Sequence, residues 1–310
     1  MLNLTAEDFA EILGTTEEVI LLNCKEVIDS SDFSYKIVTQ KERESIFLRV
    51  LKTLSSGLKV SGPHRYEDWE VGWSENLADY KKDKSDLSKL LPKFIRPSEV
   101  IRLKGDYIVP TDPGFETSFV SVLRNYLFSK YFTGVTSIYE FGCGTGLNLV
   151  SIAKLLPGKK LYGLDWSKAS CDIVDELASS LNLDLHSKQF DMFHPLEEIN
   201  LDSSCAVLTV GAMEQLGTDY NEFTRFLLRR KPAVCINVET LYELHNRDYL
   251  FDYVSAEYLV KRNYLRGYLS LLRELESIGT IDILEVRRVF GGIYTDGYSY
   301  VVWKPRNRNV

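Results

Sequence analysis

The chain has 310 residues, of which 45% are hydrophobic and 26% charged, with a formal net charge of −7 and a pI near 5.3. This composition supplies ample material for a globular core, and its acidity repels nucleic-acid phosphates, which disfavours a nucleic-acid substrate. Five scattered cysteines (Cys24, Cys143, Cys171, Cys205, Cys235) with no CxxC pair argue against a disulfide framework or a zinc site and for a reducing, cytoplasmic setting. The opening MLNLTAEDFAEILG does not read as a signal peptide, and no apolar run reaches the roughly 18 residues of a membrane span.

Residues 1–115 read as a mainly helical region. Thr5 caps a first helix, with Asp8 three residues on and Phe9, Ile12 and Leu13 as its apolar face. A second helix is expected over 41–54, with Ile46, Phe47, Val50, Leu51 and Leu54 on one side. The stretch 62–80 is dense in aromatic and acidic residues; on a helix Tyr66, Trp69 and Trp73 fall on one stripe. Residues 93–116 read as a connector with a small hairpin at Lys104-Gly105-Asp106.

From 116 onward helices and strands alternate. A helix over 116–131 precedes strands at 136–141, 160–165, 205–210 and 233–238, with a weaker one near 184–190. Helical patterns at 146–156, 167–181, 219–230 and 248–278 separate most of them. This βαβ rhythm predicts an α/β fold, a mostly parallel sheet covered by helices on both faces. The runs 281–290 and 299–305 read as a terminal antiparallel hairpin. The basic run Arg229-Arg230-Lys231 reads as a helix C-terminus that complements the helix dipole.

The strongest signal is SIYEFGCGTGLNLVSIAKLLP, 137–157. A strand ends at Glu140, and Gly142, Gly144 and Gly146 then lead into a helix around Cys143, so the bare backbone can turn tightly and approach a ligand. The second strand ends at Asp165, followed by Trp166, and the third at Phe190-Asp191-Met192. Asp165 suits ribose hydroxyls. Asp191 suits an adenine amino group, with Met192 or Phe190 flanking the ring. Three carboxylates at successive strand tips would repel a pyrophosphate and favour a neutral or cationic nucleoside.

ExGxGxG with these two aspartates resembles class I S-adenosylmethionine-dependent methyltransferases of the small-molecule type, over about 116–304. The resemblance implies a doubly wound, seven-stranded sheet of order 3-2-1-4-5-7-6 with strand 7 antiparallel. It also implies S-adenosylmethionine as cofactor, with Glu140, Gly142, Cys143, Gly144, Gly146, Asp165, Trp166, Asp191 and Met192 in its site. Glu214-Gln215 stand where many small-molecule methyltransferases carry a short polar pair. No Asn-Pro-Pro-Tyr motif follows the fourth strand, which argues against DNA and glutamine amino-methylating branches.

For the acceptor side, His64, Glu67, Glu214 and Glu239 are the candidate catalytic residues, with 62–80 as a lid or acceptor wall. Arg262–Tyr268 and 291–297 are weaker candidates for the same wall. The Tyr66, Trp69 and Trp73 stripe also reads as plain core, and Glu239 also reads as a helix N-terminal acid. The expected function is methylation of a hydroxyl on a small, polar, sugar-like molecule. N-methylation of an amine or protein side chain, a non-catalytic cofactor-binding partner, and self-association into a homodimer all stay open.

Overall fold

The computed structural model describes residues 1–93, 99–201 and 203–306; residues 94–98 of the expected connector lie outside that set. The first element is β1 (Leu2–Asn3), then α1 (Ala6–Leu13), which Thr5 and Asp8 close with a reciprocal capping box as expected. The next, α2 (Glu17–Ser30), escapes the sequence pattern because it buries only Ile20 and Cys24, while Leu21 and Leu22 face solvent and blur its period. There follow β2 (Ser34–Ile37), α3 (Gln40–Ser55), α4 (Tyr66–Lys82), β3 (Ile101–Leu103) and β4 (Asp106–Pro110). The expected hairpin pairs Leu103 with Asp106, its turn made by the positive φ of Lys104 and Gly105.

The second half holds α5 (Phe115–Tyr131), β5 (Ser137–Phe141), α6 (Leu147–Leu155), β6 (Lys160–Asp165), α7 (Lys168–Leu181) and β7 (Leu185–Gln189). These lead to β8 (Cys205–Val210), α8 (Asn221–Arg230), β9 (Val234–Val238), α9 (Leu250–Arg262), α10 (Tyr268–Ser277), β10 (Ile281–Arg287), β11 (Phe290–Gly291) and β12 (Tyr300–Pro305). The single helix expected over 248–278 is two, because Asn263 and Gly267 take left-handed backbone and stop the first before the second starts. The basic run does end a helix: Arg229 and Arg230 close α8 and both pair with Glu197.

The main sheet runs β7-β6-β5-β8-β9-β12-β10. Its first five strands are parallel, and β12 is antiparallel to both neighbours. Successive residues alternate between its faces. Ala206 and Leu208 of β8, Ile236 of β9 and Val302 of β12 pack with α1, α5, α6 and α7. Cys205 and Val207, Cys235, and Val301 with Trp303 pack with α8 and α10 on the other side. Burial on both faces explains why the central strands read as unbroken apolar runs. All five cysteines are free and buried.

The N-terminal region is less purely helical than expected. Strands β1, β2, β4 and β3 form an antiparallel sheet completed by β11 from the far end of the chain. Leu4, Phe9, Leu13, Phe33 and Trp73 share a core with the main sheet. No helix among the described residues is long and apolar enough to cross a membrane.

Candidate functional site

The parallel strands β5, β6, β7 and β8 end on one edge of the sheet, and β5 and β8 leave in opposite directions from the central pair, which opens a crevice there. Gly142, Gly144 and Gly146 all have positive φ, 71°, 52° and 72°, and each solves a different steric problem. A Cβ on Gly142 would lie 2.3 Å from that of Ala212, in the segment after β8. A Cβ on Gly144 would touch the Trp73 ring at 3.0 Å. Gly146 faces away from the crevice, where a Cβ would press on Leu177 and Val174 of α7 at 3.1 and 3.4 Å.

Asp165 at the tip of β6 is buried. It accepts from the Gly144 N–H at 2.9 Å and the Ser167 N–H at 3.0 Å, so one carboxylate braces both loops. Burial pushes its carboxyl up to about 6 against those donors. Asp191 accepts from Phe193 N–H at 2.8 Å, and His194 Nδ1 lies 3.0 Å from its other oxygen. Trp166 stacks on Phe193 with centroids 6.0 Å apart.

The cleft over these loops is lined by Gly142, Asp165, Trp166, Asp191, Met192 and Gln215, together with Trp69 and Trp73. The two tryptophans come from α4 and stack at 5.5 Å. That helix is strapped to α7: Glu70 accepts from Ser167 Oγ at 2.6 Å and from Ala169 N–H at 3.2 Å, capping the α7 N-terminus. The stripe expected over 66–73 therefore does two things: Trp73 is core, and with Trp69 it walls the cleft.

Several expected site residues stand elsewhere. His64 and Glu67 are exposed and do not line the cleft. Glu67 sits two positions before Trp69, on the opposite side of α4, and the His64 ring is hydrogen-bonded to the Val60 carbonyl at 3.1 Å. Cys143 turns its thiol into the core, 3.5 Å from Ser170 Oγ. Glu140 lies behind the glycine loop, held by Asn148 Nδ2 at 2.5 Å, and burial pushes it up to about 8.

Glu239 is fully buried at the tip of β9. It accepts from the N–H groups of Ala212, Met213 and Glu214 at 3.1, 3.1 and 3.3 Å, so it is an anchor for the short helix Met213–Leu216, the acid at a helix start. Burial holds its carboxyl up to about 7. Glu214, by contrast, keeps accessible surface. Its Oε1 accepts from Gln215 Nε2 at 3.2 Å, and Trp69 Nε1 donates to Gln215 Oε1 at 3.4 Å. Burial, then the Glu239 charge, push Glu214 up to about 8, with Arg262 and Tyr264 pulling against them. The break between α9 and α10 is what brings Tyr264 beside Glu214, and Tyr294 from 291–297 stacks on Tyr258 of α9 at 4.8 Å.

A seven-stranded sheet in the order 3-2-1-4-5-7-6, its seventh strand reversed and its glycine loop on the first, decides the architecture. The chain has the class I methyltransferase fold. No family model matches the sequence, and no curated protein matches it. Among solved structures, the chain is similar to the (4+2) cyclase SpnF at 16% identity and a TM-score of 0.49, over 76% of this chain and 78% of that one. It is similar to geranyl diphosphate C-methyltransferase from Streptomyces coelicolor A3(2), at 15% identity and a TM-score of 0.43, over 76% and 98% of the two chains. A SAM-dependent methyltransferase from Aquifex aeolicus aligns at 16% identity and a TM-score of 0.39, over 58% and 87%. Likeness at these levels assigns no residue a role in this chain.

Residues without a motif also shape the site. Asn148, on the first turn of α6, holds Glu140; a polar side chain in an otherwise apolar turn after the third glycine is its only sequence signal. Trp69 and Gln215 meet across 146 positions, a pairing that no local pattern encodes.

Proposed function

We propose that this protein binds S-adenosylmethionine in the cleft and methylates a hydroxyl of a small polar acceptor. The observation that carries the reading is the convergence on one cleft of Gly142, Asp165, Trp166, Asp191 and Met192 from three strand tips. Asp165 retains lone pairs for ribose hydroxyls beyond its two backbone donors, and Asp191 with Trp166 and Met192 suits adenine. The residues fit such a group: Glu140 Oε2, behind the glycine loop, is buried without a partner, an acceptor awaiting a donor, and Gly142 brings bare backbone into the cleft lining.

S-adenosylmethionine supplies an electrophilic methyl group on a sulfonium sulfur. The chain's own task is then to position the acceptor and remove its proton. Glu214 is the base: its carboxyl, held near 8, is far more basic than an ordinary glutamate, and although it does not itself line the cleft it accepts from Gln215, which does. The faces of Trp69 and Trp73 suit a sugar-like ring, and their stacked pair excludes water. Glu239 acts at one remove, by fixing the segment that carries Glu214.

The test is transfer of label from methyl-labelled S-adenosylmethionine into pooled hydroxylated and amine-bearing small molecules. The expected result is label on a hydroxyl, with Glu214→Gln slowing turnover by about a hundredfold or more while affinity for S-adenosylhomocysteine stays put. Label found only on amines would overturn the hydroxyl assignment, and no transfer to any acceptor would point to a non-catalytic binder.

A further inference from the structure

Trp73 reaches the glycine loop from α4. Its ring atoms lie 3.0, 3.2 and 3.6 Å from where a Cβ on Gly144 would sit, so the indole rests on the backbone of the second glycine. Gly142 lines the cleft while Gly144, under the indole, does not. Trp69 stacks on Trp73 with centroids 5.5 Å apart and spans the crevice, its Nε1 donating to Gln215 in the segment after β8. In the S-adenosylmethionine reading Gly144 belongs to the ligand's site, so Trp73 stands in space that the ligand needs.

The contacts of α4 show where it can yield. Downstream of Trp73 it is fixed to α7: Tyr80 Oη and Ser180 Oγ are 2.7 Å apart, and Lys81, with Lys84 just beyond the helix, pairs with Glu176 at 3.4 and 2.6 Å. Upstream, Glu70 takes Ser167 Oγ and the Ala169 N–H. Ahead of the helix, Ser61 Oγ bonds to the Asn263 and Glu214 carbonyls at 2.5 and 3.2 Å, and Gly62 follows with φ = 146°. Gly72 stands between the two tryptophans. Its backbone is ordinary right-handed helix, and a Cβ there would meet nothing within 4 Å. Neither conformation nor packing calls for glycine at that position, and glycine inside a helix weakens it relative to alanine.

We propose that α4 is a latched gate over the cofactor cleft, with Glu70 as the latch, Gly72 as the joint and Trp73 as the plug. When Glu70 parts from the α7 N-terminus, the segment 63–71 swings out on Gly62 and Gly72. Trp69 then leaves the face of Trp73, and the Trp73 ring turns off Gly144. The ligand enters over the bared loop, and the population of the open form, not collision, limits its entry. The gate rests on the S-adenosylmethionine reading and adds to it a control on entry.

The test is stopped-flow tryptophan fluorescence of the full chain mixed with increasing S-adenosylhomocysteine, since Trp69, Trp73 and Trp166 all line the cleft. The observed rate is expected to level off at the opening rate. Gly72→Ala stiffens the joint and should lower that plateau about threefold, while the thermal midpoint of the ligand-free protein rises by about 2 °C. Glu70→Ala releases the latch and should raise the plateau about threefold or more. A rate that climbs linearly with concentration overturns the gate. So does a plateau that Gly72→Ala leaves unchanged or raises, or one that Glu70→Ala fails to raise. Calorimetric titration of the wild type keeps the two readings apart. If S-adenosylhomocysteine binds and the kinetics fail, the gate alone falls; if it does not bind, the cofactor reading falls and the gate with it.

Discussion

Gly146 has φ = 72° and a Cβ position that would crowd Leu177 and Val174 of α7. Gly146→Ala combines left-handed backbone with that crowding and should cost about 1–2 kcal/mol of stability. Urea unfolding checks this, and an unchanged stability would mean that the loop accepts a side chain there. The glycine spacing and the aspartates at 165 and 191 were legible in the sequence because each is local to a strand tip. Glu239 was legible with two roles left open, since an acid at a strand tip reads the same whether it meets substrate or the backbone N–H groups at a helix start. His64 and Glu67 drew attention by composition, and composition does not say which side of a helix faces in.

At the scale of elements, a buried ionic cluster fastens the small sheet to the main body. Arg102 of β3 is fully buried and meets Asp296 at 3.2 Å, Tyr107 Oη at 3.2 Å and the Phe251 carbonyl at 3.0 Å. Arg288 pairs with both Asp252 and Asp296. Charged neighbours hold Asp296 well below the usual carboxylate range despite its burial. Arg102→Met removes one partner from a buried pair and should destabilise by about 3–5 kcal/mol; a loss under about 1 kcal/mol in denaturant unfolding would show the cluster to be dispensable. Beyond the hairpin at Lys104-Gly105-Asp106, little of this was readable in advance. The strands it fastens are two to five residues long, too short for a period-2 pattern, and β3 pairs with β11 far along the chain. Helices with a clear apolar face, such as α1, α3 and α5, and the buried parallel strands, whose apolar runs are unbroken, were readable to within a few residues, whereas α2 and the break between α9 and α10 were not.

Across the whole molecule, buried carboxyls dominate the acid–base behaviour. Glu140 and Glu214 sit near 8, Glu239 near 7 and Asp165 near 6, all above their values in an unfolded chain. The folded protein therefore holds protons that the unfolded chain has already released. The stability these groups contribute is full below the unfolded pKa, near 4 to 4.5, and is lost as pH rises through about 6 to 8. The thermal midpoint of the ligand-free protein should fall over that window, and Glu140→Gln with Glu214→Gln should flatten the fall. A midpoint that climbs from about pH 5 to pH 8 would contradict the assignment.

The central claim is that the cleft over the glycine loop belongs to S-adenosylmethionine and not to a dinucleotide. The carboxylates Asp165 and Asp191 line that cleft, with Glu140 behind the loop, an arrangement hostile to a pyrophosphate. Calorimetric titration of the wild-type protein with S-adenosylhomocysteine and with NAD tests it most directly. The account predicts micromolar binding of S-adenosylhomocysteine, about −7 to −8 kcal/mol, and no heat from NAD. Saturable binding of NAD with no response to S-adenosylhomocysteine would contradict it.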